Sequence, residues 1–213
     1  MKCPVCQIRK PRRQCPGVQA DICSVCCAKE REVSIGCPLD CAYLLESREH
    51  EKRVPLDPST LPHSDIEITD RFLLNNRELT LMLGVCLHQA VIENPNCVDR
   101  DVREAVDALA LTYRSLANGL LYESHLVNPY AADVYQRFRM MIAEYRAAKK
   151  NGLPKLRDAE MLPVLVLYQR MAMDYDNGRL KGRAFISFLV TEFGKLGLPD
   201  QTVERPLSQL VEL

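Results

Sequence analysis

Glycine is sparse in this chain, nine in 213 residues, and none of the nine builds a phosphate cradle. There is no Gly-x-Gly-x-x-Gly and no glycine ahead of a Lys-Ser/Thr pair, so the common nucleotide loops are excluded. A Gly-x-Ser-x-Gly elbow is also missing, which removes the usual serine-hydrolase arrangement. Histidine is as scarce. His50, His63, His88 and His125 are preceded three residues earlier by Ser47, Thr60, Val85 and Tyr122, so no Glu-x-x-His pair exists and a di-iron bundle of the usual form is excluded. Cys86 and His88 stand two apart, which on a helix turns them away from each other as nucleophile and base. No apolar run approaches the roughly 18 residues that cross a bilayer, so no membrane partner is expected. Charge of one sign is lacking too: 28 basic residues balance 28 acidic ones, and no general attraction to phosphate polymers follows. A small-molecule substrate is not indicated, and an enzyme is not the expectation.

Cysteine is the residue the chain has in excess. Eight of its ten fall between Cys3 and Cys41, as Cys3-Pro4-Val5-Cys6, Cys15, Cys23-Ser24-Val25-Cys26-Cys27 and Cys37-Pro38-Leu39-Asp40-Cys41. A two-residue gap lets both thiolates of a pair face one ion at roughly 2.3 Å from a tight turn. Cys3/Cys6 and Cys23/Cys26 have that gap. Cys37 and Cys41 are spaced i, i+4, and Pro38 and Asp40 suit the first turn of a helix that would start there. Eight ligands suit two tetrahedral zinc ions in a treble-clef or cross-brace-like module. The pairing expected puts Cys3, Cys6, Cys23 and Cys26 on one ion and Cys15, Cys27, Cys37 and Cys41 on the other, because adjacent Cys26 and Cys27 point in different directions. So short a segment cannot bury enough apolar surface to hold itself folded, so metal binding would have to supply the fold.

The same thiols would serve disulfides, a redox pair or an iron–sulfur cluster. The chain opens Met-Lys-Cys without an apolar signal run, which points to a reducing compartment and the cytoplasm. Cys-Pro-Val-Cys looks like an oxidoreductase motif, yet no βαβ pattern follows it. An iron–sulfur cluster also takes four thiolates.

The run Ile22-Cys23-Ser24-Val25-Cys26-Cys27, with Arg31, Ile35 and Cys37-Pro38-Leu39-Asp40-Cys41-Ala42-Tyr43-Leu44, resembles the head of a bacterial family with no assigned activity. Gly119-Leu120-Leu121-Tyr122-Glu123 and Asn177-Gly178 to Phe185 look similar to stretches of that family's helical region. The resemblance implies a zinc-finger-like head followed by a helical domain, and no particular chemistry.

Residues 1 to 41 hold seven basic and four acidic residues. The knot Arg9-Lys10-Pro11-Arg12-Arg13 would suit nucleic acid, but it lacks aromatic residues for base stacking. Two zinc centres with four thiolates apiece carry a formal charge of about −2 each, so offsetting thiolates also explains Arg9, Lys10, Arg12 and Arg13.

Residues 1–50 therefore read as the metal module and 51–64, with Pro55, Pro58 and Pro62, as a linker. An all-α bundle of about five helices follows over 65–195, with a tail at 196–213. The first helix is expected from Asp65 to Ile92, with acidic residues at its positive end. The second, near Val98 to Leu121, has the clearest helical period through Val102, Ala105, Leu109, Tyr113 and Leu116. Asn128 and Pro129 open the third, which ends at Asn151-Gly152. The fourth, Asp158 to Tyr175, is apolar nearly all round and belongs in the middle of the bundle. The fifth runs from Lys181 to Gly194. Tyr122 to His125 reads as a hydrogen-bonded interhelical turn, and Asp174 to Arg183 as a solvated loop with a modest anion-binding edge. Cys86 reads as a buried apolar residue and Cys97 as incidental. Three functions compete: a protein-binding adaptor with structural zinc, a nucleic-acid-binding regulator, and a thiol redox switch that ejects zinc on oxidation.

Overall fold

A computed structural model describes residues 1–51, 55–148 and 156–196. The fold is mainly helical, with the cysteine-rich module leading a helical body. The module begins with a knuckle in which Gln7 N–H donates to the Cys3 carbonyl at 2.7 Å, with Gln7 in the left-handed region at φ 54°. Strands β1 (Arg13–Cys15) and β2 (Ala20–Ile22) then pair antiparallel, Arg13 opposite Ile22 and Cys15 opposite Ala20. Helix α1 (Ser24–Glu30) follows at once, and α2 (Ala42–Glu49) closes the module. Ile22, Ile35 and Leu44 are the buried apolar residues around which the thiols gather, and Tyr43 packs beside them.

The last cysteine pair, Cys37 and Cys41, corrects one expectation. Pro38 to Cys41 form a turn, with Cys41 N–H on the Pro38 carbonyl at 3.1 Å, and the helix begins only at Ala42. Cys41 is the N-cap of α2 rather than a helical partner of Cys37.

The body contains α3 (Asp70–Asn75), α4 (Arg77–Ile92), α5 (Asp99–Ala117), α6 (Pro129–Ala148), α7 (Asp158–Asp174) and α8 (Ala184–Phe193). The single helix expected over 65–92 is broken. Thr69 caps α3 through its hydroxyl, which accepts from Phe72 N–H at 3.1 Å, and the backbone turns at Asn76, whose amide donates back to the Phe72 carbonyl at 2.9 Å. Such local bonds compete with the helical ladder. Asp65 is therefore not in a helical first turn; it pairs with Arg114 at 2.6 Å.

Helix α4 is buried continuously from Met82 to His88 and shares the middle of the body with α7, against which α5 packs. Gly84 is required there: a methyl group would collide with the Phe193 ring and the Tyr168 hydroxyl. Cys97 is fully buried in this core alongside Cys86. In α6 Val134 and Phe138 are buried, joined by Ala131, Tyr135 and Ile142, while Met141 and Tyr145 are half-buried. Asn128 caps α6 as expected, its side-chain oxygen accepting from Tyr130 N–H at 3.1 Å. The Asn151-Gly152 stop and the tail from 197 onward lie outside the described residues. No helix among the described residues is long and apolar enough to cross a membrane.

The module sits on the body through one loop. Helix α8 starts at Ala184, three residues later than expected, because Arg179 to Gly182 close a turn, Gly182 N–H donating to the Arg179 carbonyl at 3.0 Å, that lies against the module. Lys181 N–H donates to the Glu32 carbonyl at 2.7 Å, Lys181 Nζ to the Ser34 carbonyl at 2.6 Å, and Arg179 to the Arg31 carbonyl at 2.9 Å. Glu32, 1% exposed and at φ 53°, inserts its carboxylate between the two parts. It accepts from Arg48 at 2.8 Å, Arg183 N–H at 3.0 Å and Asn177 at 3.1 Å. The stretch Asp174 to Arg183, expected as a solvated loop, is the docking surface of the head. Leu39 adds an apolar contact to the body core.

Candidate metal centre

Cys3, Cys6, Cys23 and Cys26 are brought together, with all four sulfurs within 4.8 Å of one another. The knuckle supplies the first two. The second two come from the start of α1, where Cys23 is the N-cap and its sulfur accepts from Cys26 N–H at 3.4 Å. Cys23 N–H in turn donates to the Cys3 sulfur at 3.3 Å, which locks the knuckle to the helix start. Cys6 and Cys23 sulfurs lie 3.9 Å apart. Four thiolates at roughly 2.3 Å from one ion stand about 3.8 Å from each other in a tetrahedron, so this spacing suits a single ion.

The local dipoles prepare the thiols for a cation. The N–H groups of Arg9 and Ile8 lower the Cys6 thiol to about 6. Burial raises Cys3, but the N–H groups of Cys23, Cys6 and Val5 outweigh it and take the thiol below its ordinary value. Burial and the neighbouring thiols push Cys26 up to about 12. Cys26 is the thiol of this set that burial keeps protonated, and a bound cation would favour its thiolate. All ten cysteines are free.

The other four thiols of the head form a separate group. Helix α1 turns about 100° per residue, so Cys27 leaves the Cys26 side and faces Cys15, Cys37 and Cys41. Only the first quartet, among the described residues, gathers its donors within 4.8 Å.

The basic knot is partly consumed by these thiols. Arg9 is held further above its ordinary range, chiefly by hydrogen bonding to Cys23. Arg13 places NH1 3.5 Å from the Cys27 sulfur and its guanidinium 4.4 Å over the Tyr43 ring. Arg9, Lys10 and Arg12 remain exposed.

No catalytic constellation appears elsewhere in the described residues. Cys86 is pushed up to about 12 by burial alone, and burial lowers His88. Ser124 bonds to the Ala108 carbonyl at 3.1 Å and Thr112 at 3.2 Å, while Glu123 pairs with Arg139 at 2.5 Å. Glu123 and Ser124 are thus hydrogen-bonded as expected, but Tyr122 to His125 form an irregular connection and not a turn, the turn being at Asn118 and Gly119. Sequence reasoning missed Glu32, whose partners lie as far as 151 residues away. No protein-family model matches the chain, and no curated protein or solved structure matches it either.

Proposed function

We propose that this chain is a non-enzymatic adaptor whose head is built on structural zinc and whose body presents a surface to another protein. The observation that carries the zinc is the Cys3, Cys6, Cys23 and Cys26 quartet, with a sulfur–sulfur separation of 3.9 Å. Zinc has no geometric preference beyond the tetrahedron these thiolates define, and a shell of four protein ligands leaves no position for substrate. An iron–sulfur cluster would hold its thiolates on separate iron atoms and farther apart.

The protein partner is supported by the loop between α5 and α6. Leu121 is 98% exposed and Val127 91%, with Leu120 and Tyr122 beside them, on a connection anchored by Ser124 and Glu123. Large apolar residues left exposed on one loop suit a protein surface. Nucleic-acid binding is less well supported, since Arg13 is turned toward the Cys27 sulfur.

Elemental analysis of protein purified without added metal tests the zinc. Zinc absent from wild type, or a zinc content per chain left unchanged when Cys3 and Cys6 are both changed to serine, rejects it at this quartet. Leu121→Ser with Val127→Ser, compared with wild type in affinity purification, tests the surface. Selective loss of captured proteins is expected. An unchanged set, together with tight RNA or DNA retention at low salt, rejects the adaptor reading.

A further inference from the structure

Cys15, Cys27, Cys37 and Cys41 line one small enclosed cavity of about 10 Å³ beneath the head's β-hairpin. That is about the room one water-sized sphere needs. Cys15, Cys27 and Cys37 are buried, Cys41 is half-buried, and no disulfide joins any of them. Ile22, Ile35 and Leu44 make the apolar wall. Two cations nevertheless reach into this apolar place. Arg13 NH1 lies 3.5 Å and Arg31 NH2 3.8 Å from the Cys27 sulfur, and Arg31 is 8% exposed with a buried Nε that has no partner.

We infer that this cavity is a second tetrathiolate site for a divalent soft metal ion, zinc in the first instance, separate from the Cys3 quartet. The charges explain the arginines. Four neutral thiols give two guanidinium groups nothing to offset, and placing such cations in an apolar wall is costly. Four thiolates around a divalent ion carry about −2, which Arg13 and Arg31 together neutralise. Thiolate hydrogen bonds from those side chains would act as the outer shell that orients ligands.

The donors in this quartet are farther apart than in the first, and Cys41 supplies the adjustment. It caps α2 without any side-chain cap bond, so its χ1 is free to turn inward as the ion binds. The site also has a mechanical consequence. Cys27 and Cys37 flank the segment 28–36 that carries Glu32, and Arg31 pairs with Ile35 across it. An ion held by both cysteines pins the two ends of the docking hook.

The experiment uses the full chain, purified without added metal, with zinc counted by elemental analysis and tetrathiolate absorption followed during cobalt(II) titration. This inference is independent of whether the first quartet binds, so two paired variants separate them: Cys3→Ser/Cys6→Ser and Cys37→Ser/Cys41→Ser. Two ions in wild type and one in each variant is the expected result. One ion that survives in Cys37→Ser/Cys41→Ser and is lost in the other variant overturns the second site and leaves the first. One ion with the opposite behaviour upholds the second site and removes the first. Two ions retained in Cys37→Ser/Cys41→Ser, or none in wild type, overturns the inference. Cobalt titration of wild type guards against variants that fail to fold: a tetrathiolate signal saturating at one equivalent rather than two also overturns it, unless that equivalent is lost in Cys37→Ser/Cys41→Ser.

Discussion

Replacing Glu32 with alanine removes the acceptor on which the head and body converge. Arg48, Arg183 N–H and Asn177 donate to it at 2.8, 3.0 and 3.1 Å, and its side chain is 1% exposed. Nothing nearby replaces it for Arg48, whose Nε and NH1 are already buried without partners. Breaking a buried ion pair by deleting one member costs about 3–5 kcal/mol. Glutamate and alanine are both disfavoured at φ 53°, so backbone strain cancels in the comparison. The Arg48 bond is internal to the module, so the part of the loss that falls on docking is that of the Arg183 N–H and Asn177 bonds, about 1.5–3 kcal/mol each at a charged acceptor. The docked-to-undocked ratio should fall by roughly 150-fold or more. Amide hydrogen exchange at Lys181 is the informative readout. Its N–H bonds to the Glu32 main-chain carbonyl, which the substitution leaves in place, so lost protection there reports separation and not a deleted bond. Lys181 protection within about threefold of wild type would refute the reasoning.

Gly84→Ala should overpack the junction of α4, α7 and α8 against Phe193 and Tyr168, costing about 1–3 kcal/mol and lowering Tm by roughly 3–10 °C; an unchanged melting curve would show that Phe193 yields freely. Asp99 is pushed up to about 6, first by burial, while accepting from Phe185 and Ile186 N–H. The native state thus keeps a proton that the unfolded chain has released, so this contribution is full below about pH 4 and is lost as the pH rises to about 6, at most about 3 kcal/mol. Urea titrations of wild type and Asp99→Asn across that window should diverge in slope, and parallel curves would reject the assignment. Chelation should abolish amide protection in residues 3–41 while the far-ultraviolet helical signal of the body largely persists; a single cooperative loss of both would show that the body depends on the head.

Much of the candidate site is readable from spacing, because knuckle and helix-start cysteines are local features. Cys3/Cys6 and Cys23/Cys26 need only a turn and an N-cap to face one point. The period of α5 and the Asn128 cap are legible for the same reason. What escapes is tertiary. Glu32 sits in a polar run, Arg31-Glu32-Val33-Ser34, that looks solvated, and its burial depends on residues 177 and 183. The break at Asn76 was hidden because propensity alone supports helix through it, while one side-chain bond to Phe72 decides otherwise. Pro38 and Asp40 suit a helix start, yet Pro38 to Cys41 close a turn and the helix waits for Ala42.

The docking loop gives its hydrogen bonds mostly to main-chain carbonyls, those of Arg31, Glu32 and Ser34. A carbonyl is indifferent to the side chain beside it. Over evolutionary time the rim of the head at Val33 and Ser34 is therefore free to drift, whereas Glu32 can change only together with Arg48 and Asn177. The two halves of the molecule are joined by a socket that reads mostly backbone shape, and heads of quite different surface character could be exchanged on one body so long as the Glu32 carboxylate, the Glu51 partner of Arg179 and the Leu39 contact are carried along.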